Sequence, residues 1–408
     1  MYGGVEGMKN QPLRLTIIFS IAVCIIAIIL TVFLLNDGAF DNKTETQVVN
    51  SSLYAEDKFM PHDYLIVSTE GKYTLVNTDG KMVTEQLFDV LSLADYGLYY
   101  YKQGAKQGFL NSDLHRIFET EDIISTNVSE TFVIYSSNDK KGYINITTGE
   151  KIDAVFEVAY DFSEGLAAVQ IGGATGFINK EGKLVIPCDY SNNAIYQFKA
   201  GLCNVMTGSR DEGTLKAFYI NKSGEKMFGQ DYDYCMPFSE DRAFVCVDNE
   251  WHIIDSKGNR IGDEKFGPYT KTVPSVFKDG RAVVVKDEKY GIIDIDGNYI
   301  VNPRYEQISE ITEGGTIFKE NGLYGYMNSD GSVIIAARYE SLSNFKKGLA
   351  VFSEDHKYGV VDRAATVVVK PEYENISILD NGLVKISVSE TEYYYVDKYG
   401  RTVYESQN

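Results

Sequence analysis

From about Met60 to the C-terminus, short apolar runs alternate with polar breaks every five to eight residues. Gly348-Leu349-Ala350-Val351-Phe352, Lys357-Tyr358-Gly359-Val360-Val361 and Thr366-Val367-Val368-Val369 are representative. Runs this short, rich in β-branched and aromatic residues, predict strands joined by hairpins. The breaks leave no room for the long apolar period of an amphipathic helix.

The pattern recurs. Aligned on an Asn or Asp, its anchors are Asn77, Asn111, Asn145, Asn179, Asn221, Asp255, Asp294, Asn328, Asp362 and Asp397. They lie 34 residues apart, except for 42 before Asn221, 39 before Asp294 and 35 before Asp397. A fixed period of this length predicts a repeat architecture whose units bury their apolar faces against each other. Tetratricopeptide units share the 34-residue period. They are helical, however, and the frequent breaks exclude them.

Each position in the repeat has a physical reading. The residue before the anchor is always aliphatic, and three before it Gly recurs, as in Gly291, Gly325 and Gly359. These two share a strand face, so the Gly predicts close approach of a neighbouring backbone. Four before the anchor stand Tyr73, Trp251, Tyr290, Tyr324, Tyr358 and Tyr393, on the other face. They are expected to be buried between units; the alternative is an exposed row stacking on sugars or peptides. Three after the anchor, Gly297 and its equivalents suit the positive φ of a tight turn. Eleven after it, Tyr305 and its equivalents read as core, as do Phe162, Phe238 and Phe345. The predicted fold is all-β: about ten three-stranded antiparallel repeats of ~34 residues. They close like propeller blades or wind as an open superhelix. Ten exceeds the ~4–8 blades usual in a closed propeller, which keeps an open spiral, or a ring with irregular ends, in play.

Two stretches depart from the period. Thr207–Lys216 holds the extra residues before Asn221, and Gly267–Pro274 those before Asp294. Insertions in repeat proteins map to loops, often on a binding face. Thr207, Arg210, Asp211, Pro268, Tyr269 and Pro274 are therefore the candidate binding residues. Phe218, His252 and Tyr394 depart differently, by replacing the strand Gly.

The N-terminus changes character. Residues 1–14 form a short tail. Residues 15–35 are 21 positions without a charge, close to the ~20 a bilayer-spanning helix needs. The stretch exceeds the ~7–15 apolar residues of a cleaved signal, so an uncleaved transmembrane anchor is expected, with the lipid bilayer as partner. Lys9 and Arg14 precede it; Asp37 and Asp41 follow. That asymmetry predicts a cytoplasmic N-terminus and an extracytoplasmic remainder. Residues 36–60 are polar and read as a flexible stalk, leaving 61–408 as the repeat domain.

Net charge is −19, which argues against nucleic acid and anionic lipid as partners of the body. Cys24 lies in the apolar segment. Cys188, Cys203, Cys235 and Cys246 show no C-x-x-C spacing and read as buried thiols. His62, His115, His252 and His356 form no metal motif. No nucleophile elbow or P-loop occurs, and no cofactor is predicted. Asp294-Ile295-Asp296-Gly297-Asn298 is similar to part of a calcium loop but lacks the later Glu. It sits in the hairpin slot of every other repeat and is expected to be a turn. Gly172–Gly176 enters a strand rather than a helix, and also reads as a hairpin.

Aromatic-Gly-x-aliphatic-Asn/Asp-x-x-Gly, followed by an aliphatic strand and Pro-x-Tyr, resembles the bacterial WG-containing repeat. Thr175–Lys183 and Tyr290-Gly291 through Pro303-Arg304-Tyr305 carry it most clearly. The resemblance covers about residues 60–408. Trp fills its position only as Trp251, where His252 replaces the Gly; Tyr stands there in most other copies. The resemblance implies repeated β-structure in an envelope or secreted protein and brings no catalytic residues. Glu392–Gly400 is locally similar to choline-binding cell-wall repeats, which suggests wall glycan. The leading expectation is a non-enzymatic binding or scaffold protein of the cell envelope. The alternative is a cell-wall glycan-binding module using exposed Tyr, and an enzyme comes third.

Overall fold

The computed structural model describes residues 47–48, 64–69, 71–77, 81–84, 87–191, 196–209, 212–379, 381–389 and 392–406. The apolar segment 15–35 lies outside them; no helix among the described residues is long and apolar enough to cross a membrane. The chain divides into Met1–Glu45 and Thr46–Asn408, and the repeats lie in the second unit.

That unit contains ten small antiparallel sheets among the described residues, eight with three to five strands and two that are single hairpins. Numbered along the chain, sheet 1 spans 65–76, sheet 2 90–120, sheet 3 123–156, sheet 4 158–190 and sheet 5 202–221. Sheet 6 spans 234–266, sheet 7 281–305, sheet 8 307–339, sheet 9 341–373 and sheet 10 376–405. Each is a meander of strands adjacent in sequence. Most have four strands rather than the three read from the sequence. The added strand comes first and is short, as in Val158–Ala159 and Ser341–Leu342. Two residues are too few to show alternation. Within the segment read as a stalk, Gln47–Val48 pairs with Arg116–Thr120 as a fifth strand of sheet 2.

The ring is closed. Each of ten apolar clusters joins one sheet to the next, from sheets 1–2 through sheets 9–10. The tenth joins sheet 10 back to sheet 1 through Tyr393, Tyr395, Leu65, Val67 and Val76. Tyr395 Oη donates to the Ile66 carbonyl at 3.1 Å, and Asn381 Nδ2 to that of Tyr64 at 3.2 Å. No strand is shared across this joint among the described residues: sheets 1 and 10 remain separate. The open superhelix is thereby corrected. Short terminal sheets, held by side chains, let a large ring meet its own start.

The third strand of each sheet explains the periodicity. It is covered on both faces, because each sheet lies between two neighbours. The residue before the anchor packs on the preceding sheet: Ile144 joins the sheet 2–3 cluster and Met327 the sheet 7–8 cluster. The residue two before it packs on the following sheet: Tyr143 in the sheet 3–4 cluster, Tyr326 in the sheet 8–9 cluster. That second position, from Leu75 and Phe109 to Val360 and Tyr395, is buried in every repeat. It is the uniform inter-sheet peg. The aromatic four before the anchor is not. Trp251 is 0% and Tyr393 7% exposed, but Tyr73 is 37% and Tyr358 39% exposed, with Tyr290 and Tyr324 between. It lies at the strand's beginning, where cover depends on the adjacent connection.

The strand Gly does permit close approach. In sheet 7, which has three strands, the last strand, equivalent to the fourth elsewhere, bulges past Gly291, its register shifting between Tyr290 and Ile292. A Cβ there would meet the Val301 carbonyl oxygen at 2.6 Å. Gly325 and Gly359 stand in the same relation to Ile335 and Val369. Where a side chain replaces the Gly, the outcome varies: the fourth strand still shifts register past His252, beside Phe218 it is reduced to isolated bridges, and beside Tyr394 the shift comes later, between Tyr395 and Val396.

Candidate binding rim

An antiparallel meander separates its connections. The hairpin between second and third strands and the crossover to the next sheet fall on one rim. The first–second turn and the third–fourth turn fall on the other.

The second rim is built by the repeat motif. The anchor side chain closes the third–fourth turn: Asp294 Oδ1 accepts from the amides of Asp296 and Asn298 at 3.0 and 2.8 Å, and Oδ2 from the Asn298 side chain at 3.1 Å. Asn221, Asp255, Asp362 and Asp397 act alike. Asx side chains favour such turns by substituting for backbone acceptors. The calcium-like stretch is therefore a hairpin turn, with both carboxylate oxygens engaged. Gly297 takes φ +84° there. A second device links neighbours. Glu130, Glu164, Glu240 and Glu313, each at a first–second turn, accept backbone N–H groups from the corresponding turn of the next sheet. Lys180, Lys222 and Arg363 pair with three of them.

Both insertions fall on the first rim, on consecutive sheets. Thr207 pairs with Lys216 at the base of an extended second–third hairpin in sheet 5. Arg210 and Asp211, at its tip, lie outside the described residues. The stretch 267–274 is the crossover from sheet 6 to sheet 7, where it replaces the short first strand. Its amides dock on the sheet 6 hairpin: Tyr269 N donates to the Asn249 carbonyl and Thr270 N to Asn249 Oδ1, at 3.0 and 3.1 Å. Trp251 Nε1 donates to the Thr272 carbonyl at 2.9 Å. Tyr269 stacks on Tyr234 with ring centroids 5.5 Å apart and meets Trp251 edge-on at 5.4 Å. Tyr234 and Tyr269 stay half-exposed above the buried Trp251, while Pro274 is buried and offers no surface. Asp233, beside Tyr234, lies 3.9 Å from Lys216. One insertion thus reaches Asp233 through Lys216 and the other stacks on the adjacent Tyr234, which sequence reading passed over. Its signal was indirect: it precedes Cys235 in a two-residue strand opposite Cys246.

Farther along the same rim stand Tyr290, Tyr324 and Tyr358, one per sheet in sheets 7, 8 and 9, half-exposed or exposed. Lys319 lies over the Tyr324 ring at 5.1 Å.

The remaining reactive groups are placed in the core. Cys203, Cys235 and Cys246 are buried free thiols, and Cys188 is half-buried and free. Burial pushes the Cys246 thiol up to about 11 and those of Cys203 and Cys235 higher, which keeps them protonated and weakly nucleophilic at neutral pH. His252 is 6% exposed. Burial, then the Arg260 and Lys265 charges, hold its imidazole below its ordinary value. Among the described residues no three His, Cys, Asp or Glu side chains converge to hold a metal ion.

The family model for the WG containing repeat matches residues 142–173, 176–210, 218–251, 290–324, 324–358 and 358–389. The six matched repeats, within residues 142–389, belong to the WG-containing repeat family. No curated protein matches the sequence. Among solved structures, similarity extends to a eukaryotic initiation factor at 9% identity and TM-score 0.46, covering 84% of this chain and 94% of that one. Hsv2p of Kluyveromyces lactis is similar at 12% identity and TM-score 0.34, covering 60% and 94%. PorZ of Porphyromonas gingivalis is similar at 9% identity and TM-score 0.23, covering 90% and 65%. At such scores none bears on what this WG-repeat chain binds. The six matched WG repeats fall in sheets with and without the strand Gly, so the match follows the hairpin pattern more than any single residue.

Proposed function

We propose that this WG-repeat protein is a non-enzymatic binding platform of the cell envelope, anchored through residues 15–35 with the ring outside the membrane. One observation carries the reading: both departures from the repeat period lie on one rim of consecutive sheets, beside half-exposed Tyr234 and Tyr269. Tyr rings that are half-buried and oriented by neighbours make contact area at low entropic cost, which suits a protein partner. The acidic surface repels nucleic acid and leaves proteins or neutral polymers as partners. A photo-crosslinking residue in place of Tyr269, in the full chain in cells, tests this. Crosslinks to one envelope protein are expected, and they disappear with Tyr234→Ala. Equal crosslinking from Lys257, on the opposite rim, refutes it.

A second reading rests on Tyr290, Tyr324 and Tyr358. Three half-exposed rings on successive sheets form a row suited to stacking along a wall glycan. The full chain then sediments with purified wall material, and replacing the three Tyr by Ala releases it. Sedimentation unaffected by the triple change refutes this reading.

A further inference from the structure

The sequence departure at Tyr394 lines a cavity. In the regular sheets the Gly three before the anchor faces the preceding sheet, and the fourth strand bulges past it. In sheet 10 Tyr394 occupies that position and pairs directly with Glu405, and the register shifts only beyond it, between Tyr395 and Val396. The Tyr394 ring therefore projects toward sheet 9, where it meets Tyr373 edge-on at 6.1 Å between centroids. Beside them lies a cleft of about 420 Å³ between the fourth strand of sheet 9 and the outer strands of sheet 10. Its floor is Val369, Ile386 and Val396, all buried. Val368, Lys370, Glu372, Gly400, Thr402 and Glu405 complete the lining.

The chemistry of this lining is uneven. Two carboxylates face one ammonium, and among the described residues neither Glu372 nor Glu405 has an ion-pair or hydrogen-bond partner. The cleft thus offers acceptors, two aromatic rings and an apolar floor, beside the Lys370 ammonium and the Thr402 hydroxyl. A comparable cleft between sheets 6 and 7, about 300 Å³, differs: its Glu264 is engaged by Lys286 at 2.5 Å and Tyr299 at 3.0 Å.

We propose that the cleft between sheets 9 and 10 binds an organic ammonium or guanidinium group carried on a short apolar stem. The carboxylates take the N–H donors, the Tyr faces take the cation, and the Val/Ile floor takes the stem. The size falls in the ~300–1,000 Å³ range of small-ligand sites. The same chemistry serves a free amine or a Lys or Arg side chain of a protein. The proposal does not depend on the rim reading above.

Calorimetric titration of the full chain tests it, with 1,5-diaminopentane as probe and pentane-1,5-diol as its neutral counterpart. The diamine is expected to bind and the diol not. Glu372→Gln with Glu405→Gln weakens diamine binding by about tenfold or more, since hydrogen bonds to charged groups are the strong ones. Unchanged circular dichroism and ring stability show that this variant is folded. Tyr394→Phe, which keeps the ring, retains most of the binding; Tyr394→Gly abolishes it. A tetra-lysine peptide binding more tightly than the diamine assigns the site to a protein side chain, the reverse order to a small amine, and either supports the proposal. Diol binding equal to diamine binding, or full affinity in the double Gln variant, overturns it.

Discussion

Replacing Tyr395 by Ala removes a ring from the joint between sheets 10 and 1. The side chain is 2% exposed and packs with Tyr393, Tyr404, Leu65, Val67 and Val76. Truncating a buried aromatic costs about 3–5 kcal/mol, of which part is the cavity left behind. Besides Tyr395, Asn381 bonds to Tyr64 and Tyr393 to Ser68 across this joint, and sheet 1 is a hairpin of two five-residue strands. The loss therefore concentrates locally. At 1.4 kcal/mol per decade, opening of residues 65–76 becomes about two to three and a half decades more frequent. Native-state hydrogen exchange reads this directly, because local opening is resolved from global unfolding. The amides of 65–76 should lose protection, while those of sheets 4 to 8 keep theirs. Tyr395→Phe separates the terms. It removes only the 3.1 Å bond to the Ile66 carbonyl, worth about 0.5–1.5 kcal/mol, and leaves the ring. If Tyr395→Ala changes exchange in 65–76 by less than tenfold, the ring is not closed through this joint.

Three further outcomes follow from the repeat's own geometry. Gly325→Ala places a Cβ 2.5 Å from the Ile335 carbonyl oxygen and from Phe318 Cζ; a stability loss of about 1–3 kcal/mol is expected, read by urea denaturation, and an unchanged midpoint would contradict the close-approach argument. At Asp294, burial pulls the carboxyl upward, but bonds from Asn298 and Asp296 overcome it and hold it below its ordinary 3.8. Its stabilisation is present above that value and lost as pH falls through the lowered one. Asp294→Asn should keep the turn and remove this pH dependence, as Asn does at Asn221, whereas Asp294→Ala should cost about 1 kcal/mol. His252 titrates in the folded ring below 6.5, so between that lowered value and 6.5 the unfolded chain holds the extra proton. Stability should therefore drop as pH falls from 7 to 5, by less in His252→Gln; thermal unfolding at the two pH values checks it.

Much of this was readable before any fold. Asn or Asp followed three residues later by Gly marks a hairpin because its chemistry is local: a side-chain acceptor for two amides and a residue that tolerates positive φ. The Gly three before the anchor was legible as a close-approach site for a similar reason. Its consequence, the bulge of the fourth strand, was not. The Tyr ladder was misread because burial is not a property of a strand position alone. Trp251 is covered by the 267–274 crossover and Tyr358 is not, although they stand at equivalent places.

The sequence by itself determined the period, the strands, the turn chemistry and the two insertions, since each depends on residues within a few positions of one another. The tertiary structure alone decided that the array closes, that its third strands are buried on both faces, that both insertions fall on one rim near Tyr234, and that Tyr394 lines a cleft with Tyr373. These depend on contacts between sheets, up to 329 residues apart at the joint. Side-chain packing across such distances leaves no period in the chain to read.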